Sequence, residues 1–142
     1  MFRPTPAVVA ALHELGQGPA VEAALRARRP DLTDVLLRTA AAHPELPRTL
    51  LAAAVRAAAG RLGELHGGHT IEVRVPPYAA VQLGFGTGSR HTRGTPPNVV
   101  EMAPATFLDL VTGRVAYADA EIRASGAHAG QAARAFPLVT SP

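Results

Sequence analysis

Residues Ile71 to Glu101 read IEVRVPPYAAVQLGFGTGSRHTRGTPPNVVE. Ile71, Val73 and Val75 alternate with Glu72 and Arg74. A period of two is what a strand buried on one face requires. Pro76-Pro77 ends that strand, because neither residue can donate to a ladder. Ala79, Val81, Leu83 and Phe85 alternate again, with Gln82 on the other face, until Gly84, Gly86 and Gly88 break the run. Val99-Val100 starts a third extended piece. The short Pro-Pro corner predicts that the first two strands are antiparallel neighbours.

Two segments of this stretch, EVRVPPYAAVQ (Glu72–Gln82) and HTRGTPPNVVE (His91–Glu101), closely resemble the small bacterial sterol carrier protein domain of high-GC bacteria. Two shorter matches follow in the right order, PATFLDLVTGR (Pro104–Arg114) and IRASG (Ile122–Gly126). The resemblance covers about the last eighty residues and does not reach the first forty-five. It implies a mostly antiparallel sheet with helices on one face and an apolar tunnel between them. It also implies a long helix just before the first strand. Similar domains form C-terminal parts of mycothiol-dependent isomerases, where the metal lies in a separate helical domain.

Working outward, Pro104 suits the first turn of a helix and Gly113 its end, with Phe107, Leu108 and Val111 on one face. Ala103 stands where the family often has a capping Asp. Tyr117 to Ala120 reads as one turn, Ile122 to Ser125 as a last strand, and Ala127 to Phe136 as a short terminal helix. Four strands are thus expected over 70–75, 79–85, 97–102 and 121–125, with Arg114 to Tyr117 as a candidate fifth.

Upstream, Leu51, Val55, Ala58, Leu62 and Leu65 recur at helical spacing, away from Arg48, Arg56, Arg61 and Glu64. They predict a helix over 47–65, closed by Gly67-Gly68. Three shorter helices are expected before it: Pro6 to Leu15, Pro19 to Arg29, and one capped by Asp31 that carries Leu32, Val35, Leu36 and Ala40. The fold class is therefore α+β: a four- to five-stranded sterol-carrier-like sheet over 46–142, preceded by a helical extension over 1–45. The extension could pack on the domain or on a second copy of the chain.

Composition removes several chemistries. The 142 residues contain no Cys, which excludes disulfides, thiolate nucleophiles and Cys-ligated zinc. All 14 basic residues are Arg, which excludes a lysine Schiff base and a P-loop lysine. A net charge of +3 on scattered Arg, not interleaved with aromatics, argues against a nucleic-acid partner. No apolar run is long enough for stable membrane insertion, and the start is too polar for a signal peptide, so a cytoplasmic location is expected.

Candidate chemistry is sparse. Gly84-Phe85-Gly86-Thr87-Gly88 lacks both the G-x-G-x-x-G spacing and the following helix that a phosphate site needs. His66 and His69 have no third ligand at readable spacing, so no metal site and no cofactor are expected. Ser125 has no His or Asp partner for nucleophilic work. His91, Arg93, Asn98 and Glu101 combine a base, a cation, an amide and a carboxylate. They read either as a polar pocket mouth, with His91, Arg93 and Glu101 as an acid–base set, or as ties for a Pro-rich loop. Arg93 is expected to be partly buried and hydrogen-bonded to Glu101 or to loop carbonyls.

Leu83, Phe85, Val99, Met102, Phe107, Val111 and Phe136 could line a ligand cavity or form solid core. Together with Arg93 and Asn98 they make the candidate binding set. The resemblance implies a binder or carrier of a lipid or other apolar small molecule. The alternatives are an enzyme-associated domain that uses the His91–Glu101 loop, and a protein–protein module or homo-oligomer formed through the N-terminal helices.

Overall fold

The computed structural model describes residues 1–85 and 96–140. His91, Arg93 and the Gly86-Thr87-Gly88 part of the glycine run lie outside the described residues.

Helix α1 spans Pro6–Glu14, with Pro6 in its first turn. Thr5 Oγ1 accepts from the Val8 N–H at 3.3 Å. Helix α2 spans Gly18–Leu25, shorter than the expected 19–29. Helix α3 spans Thr33–Ala42. The expected cap, Asp31, lies just outside it, yet Asp31 Oδ1 accepts from the Thr33 N–H at 2.9 Å. It also accepts from the Phe2 N–H at 2.9 Å, which staples the N-terminal strip to the start of α3.

Helix α4 spans Arg48–His66 and is buried on two sides. Ala54, Val55, Ala58 and Leu62 join the core beneath the sheet. Leu50, Ala53 and Ala57 join a second core, with Val8, Leu12, Val21, Leu32, Val35 and Leu36 from α1–α3. The N-terminal helices therefore pack on this chain's own long helix. The expected single stripe is corrected accordingly. Leu51 and Leu65 lie about 40° apart around the helix, both within the buried arc. Leu51 is half-buried, whereas Leu65 is 58% exposed.

Strand β1 (Gly67–Val75) follows α4 without a loop. Gly67 and Gly68 permit this through close backbone approaches. A Cβ on Gly67 would lie 2.6 Å from Gly63 O, and one on Gly68 would lie 2.6 Å from Gly84 N. Strand β2 is Ala79–Leu83, β3 is Asn98–Glu101 and β4 is Arg123–Ser125. The sheet order is β2-β1-β3-β4. β1 pairs antiparallel with β2, as expected across the Pro76-Pro77 corner. β1 and β3 are parallel, and β3 and β4 are antiparallel. The sheet is thus mixed. Arg114 to Tyr117 adds no strand among the described residues.

Helix α5 spans Pro104–Val111 and packs against α4. A 3-10 turn covers Tyr117–Asp119. The expected terminal α-helix is instead a 3-10 segment over Ala129–Ala135, with Gly130 near its start and no side-chain cap at His128. Ile71, Val73, Val75, Leu83 and Val100 point from the sheet into the core with Phe107, Leu108, Leu110 and Val111 of α5. The other sheet face carries Glu72, Arg74, Gln82, Val99, Glu101, Arg123 and Ser125, by the alternation of strand side chains. Arg114 joins the two parts of the chain. Its guanidinium donates to Ala40 O at 2.8 Å, a carbonyl at the end of α3, and to Asp109 at 3.2 Å.

Candidate functional site

One rim of the sheet collects the polar residues that surround the glycine-rich connection. β2 ends there and β3 begins there, because Ile71 of β1 pairs with both Leu83 and Asn98. Asn98 is 2% exposed. Its Nδ2 donates to Thr70 O at 2.9 Å, and its Oδ1 accepts from the His128 N–H at 2.9 Å. One buried amide thus ties β1, β3 and the start of the terminal 3-10 segment. Thr70 Oγ1 shares its hydroxyl with Leu83 O at 3.0 Å and Phe85 O at 2.6 Å. Phe85 is half-buried, packed against His66 at 4.9 Å between ring centroids. The Arg134 guanidinium lies 5.2 Å from its centroid.

Glu101 lies elsewhere. Three positions after Asn98 it occupies the far end of β3, about 10 Å away at the usual strand rise, and on the opposite face. The two described members of the His91–Glu101 set therefore do not converge. Glu101 pairs in register with Arg74 and Arg123. The hydrogen bond that Arg74 donates to Glu72 raises the Arg74 pKa, with the charges of Glu72 and Glu101 adding to it and desolvation opposing. This is a solvated ladder of alternating charge. Glu101 and Met102 also line an open cleft of about 610 Å³, together with Pro76, Ala103, Pro104, Thr106, Glu121, Ile122 and Arg123.

The remaining candidates divide between closed core, the open sheet face and a surface groove. Leu83, Phe107 and Val111 are each 0% exposed. Val99 is half-buried on the open sheet face. Phe136 meets the edge of Phe107 with ring centroids 6.0 Å apart. On its other flank Phe136 lines a solvent-open groove of about 350 Å³ between the end of α5 and the terminal 3-10 segment, with Ala116, Pro137 and Thr140 exposed along it. Leu110, Val115, Ala116, Tyr117, Ala133 and Pro137 form most of the wall. No charged side chain lines it.

Tyr117, Leu110 and Ala133 were not in the candidate set read from sequence. The available signal was Tyr117 itself, one of only two tyrosines in the chain, set among the small apolar residues Val115, Ala116 and Ala118. Its ring stacks on Phe136 at 6.2 Å. Burial pushes its phenol pKa up from the ordinary 10.0.

A family model described as a bacterial SCP ortholog matches residues 47–138. The chain belongs to that sterol carrier family. The SCP match begins at Pro47, the residue that caps α4, and ends at Leu138, whose N–H donates to Val111 O at 2.8 Å. It takes in α4, the whole sheet, α5 and all of the groove lining around Phe136 except Thr140. Helices α1–α3 precede the SCP match. No curated protein matches the chain. Among the described residues no group of three or more His, Asp or Glu could hold a metal. No described helix is long and apolar enough to cross a membrane.

Proposed function

We propose that this SCP-family chain binds and carries a lipid or other apolar small molecule. What supports the reading is the family match together with an uncharged, solvent-open groove beside Phe136, lined almost wholly by residues of the matched region. Its volume of about 350 Å³ lies within the roughly 300–1,000 Å³ of small-molecule sites. Burial of hydrocarbon there would supply roughly 25 cal/mol per Å² of apolar surface. Phe107 and Val111 would act as a closed floor, seating Phe136 from behind. Phe85, Met102 and Val99 lie away from this groove. Leu83, Asn98 and Arg93 would act through the fold or the loop rather than at the ligand. We further propose that residues 46–142 are the carrier unit, that 1–45 brace it, and that the protein works in the cytoplasm without a cofactor. A homo-oligomer built on the N-terminal helices would have to use their outer faces, because α4 covers the inner ones.

Native mass spectrometry of freshly purified protein tests the reading. A retained apolar adduct, lost in Phe136→Ala while the fold persists, is the expected result. A protein that carries no adduct and takes up no added apolar compound would refute it.

A further inference from the structure

The corner where the first residues meet the end of α2 and the end of α4 is unevenly charged. The Phe2 N–H donates to Asp31 Oδ1 at 2.9 Å, and Phe2 O accepts from the Leu32 N–H at 2.9 Å. This lays the N-terminal strip beside residues 30–32 and brings Arg3 to Arg29. The two line one open surface hollow with Met1, Pro4 and Pro30. Arg28 is the neighbour of Arg29 in the same exposed turn. The carboxylates of this corner are all engaged. Asp31 accepts from two N–H groups and the Thr33 hydroxyl. Asp34 pairs with Arg61 at 3.0 Å, and Glu64 Oε1 lies 2.6 Å from the Met1 nitrogen. Arg3, Arg28 and Arg29 are exposed, and among the described residues no hydrogen bond, ion pair or ring contact holds them. Apolar side chains stand beside these free cations. Met1 is 57% exposed, and Leu65, which follows Glu64 at the end of α4, is 58% exposed. They are the only exposed large hydrophobic residues among those described.

We propose that this corner docks on an anionic membrane surface, with Arg3, Arg28 and Arg29 on lipid phosphates and Met1 and Leu65 entering the headgroup layer. Free guanidiniums hold phosphate oxygens in a two-pronged fit. Exposed apolar side chains add burial at the interface, and peripheral binding to an anionic leaflet draws on both terms. A soluble polyanion such as a nucleic acid would use the cations and leave Met1 and Leu65 in water, so the lipid surface fits the whole patch. The attachment is peripheral, since no described helix is long and apolar enough to cross a membrane. Of these residues only Leu65 lies within the matched region 47–138. The hollow shares no lining residue with the groove beside Phe136, so docking stands or falls apart from cargo binding.

Flotation of the full chain with lipid vesicles tests this. The chain should float with vesicles of equal parts phosphatidylglycerol and phosphatidylcholine, stay behind with phosphatidylcholine alone, and be released as salt is raised. Arg3→Gln combined with Arg29→Gln should weaken binding about 25-fold, since each cation near an anionic leaflet contributes about 5-fold. Tm should not change, because neither side chain holds a partner. Arg48→Gln combined with Arg123→Gln removes the same charge from exposed, unpaired positions elsewhere and should weaken binding far less. Leu65→Asn should also weaken binding, at unchanged charge. Equal losses in the two double variants would overturn the patch, by assigning attraction to net charge alone. Undiminished binding by Leu65→Asn would overturn the apolar contact. Failure to float with anionic vesicles, or equal flotation with neutral ones, would overturn the docking altogether. Tighter binding to a duplex oligonucleotide than to vesicles, weakened by the Arg3 and Arg29 changes, would overturn the lipid partner in favour of a nucleic acid.

Discussion

Asn98 and Gly126 show how a short motif can be structural throughout. Gly126 ends IRASG with φ at +108°, a region that residues with a Cβ rarely adopt. A Cβ there would also sit 2.7 Å from Pro97 O and run into the Asn98 amide. Gly126→Ala should therefore displace the amide from the His128 N–H and lower stability by more than the ~1 kcal/mol of the left-handed conformation alone. Asn98→Ala would strand the buried Thr70 carbonyl, at about 1–3 kcal/mol, and release the part-buried His128 N–H. Urea denaturation measures both, and a loss under ~0.5 kcal/mol in either would disprove the tie. The sequence showed Asn98 as a residue suited to holding backbone. Its partners were not legible, because they lie 28 and 30 positions away and only the folded sheet brings them close.

Among the elements, α4 and the start of α3 are the most instructive. The periodicity of α4 gave its limits to within a residue, but only one of its two buried faces. The second face is Leu50, Ala53 and Ala57, and alanine carries too weak a hydrophobic signal to separate a packed side from a solvated one. Close helix packing needs small side chains, and the same smallness hid the contact. At α3, burial pushes the Asp31 carboxyl up, but hydrogen bonds from the Thr33 hydroxyl and the Phe2 and Thr33 N–H groups outweigh it and hold the pKa below the ordinary 3.8. A depressed carboxylate stabilises the fold fully above its unfolded pKa, and that stabilisation is lost as pH falls through the folded value. Asp31→Ala should cost about 1 kcal/mol at neutral pH, the usual worth of a helix cap. The gap between variant and wild type should close as the pH is taken well below 3.8. Thermal melts across that range check it, and a gap independent of pH would show that the carboxylate charge contributes nothing.

The molecule as a whole has two cores with one helix between them. Deleting residues 1–45 would uncover Leu50, which is 0% exposed, and with it Ala53 and Ala57. Exposing a Leu alone costs about 1.5–3 kcal/mol, and Arg114 would lose its carbonyl partners on α3. The truncated chain should melt well below the full one, as read by circular dichroism. An unchanged Tm would mean that the helices decorate the domain without bracing it. The order of helices and strands was legible, since each is local. The parallel β1–β3 pairing was not, since it is settled by which strands become neighbours. The groove beside Phe136 was not legible either, since it depends on how far the terminal segment stands off α5.

The shared wall has a spectroscopic consequence. Both tyrosines, Tyr78 and Tyr117, sit in the sterol carrier half, and the chain has no tryptophan. Helices α1–α3 contain no Tyr and are silent in near-ultraviolet absorbance. Because α4 cannot melt on one side only, loss of the silent helices should appear in the tyrosine signal, and the aromatic and helical melting curves should superimpose. A chromophore on one side of the protein would then report faithfully on the side that has none.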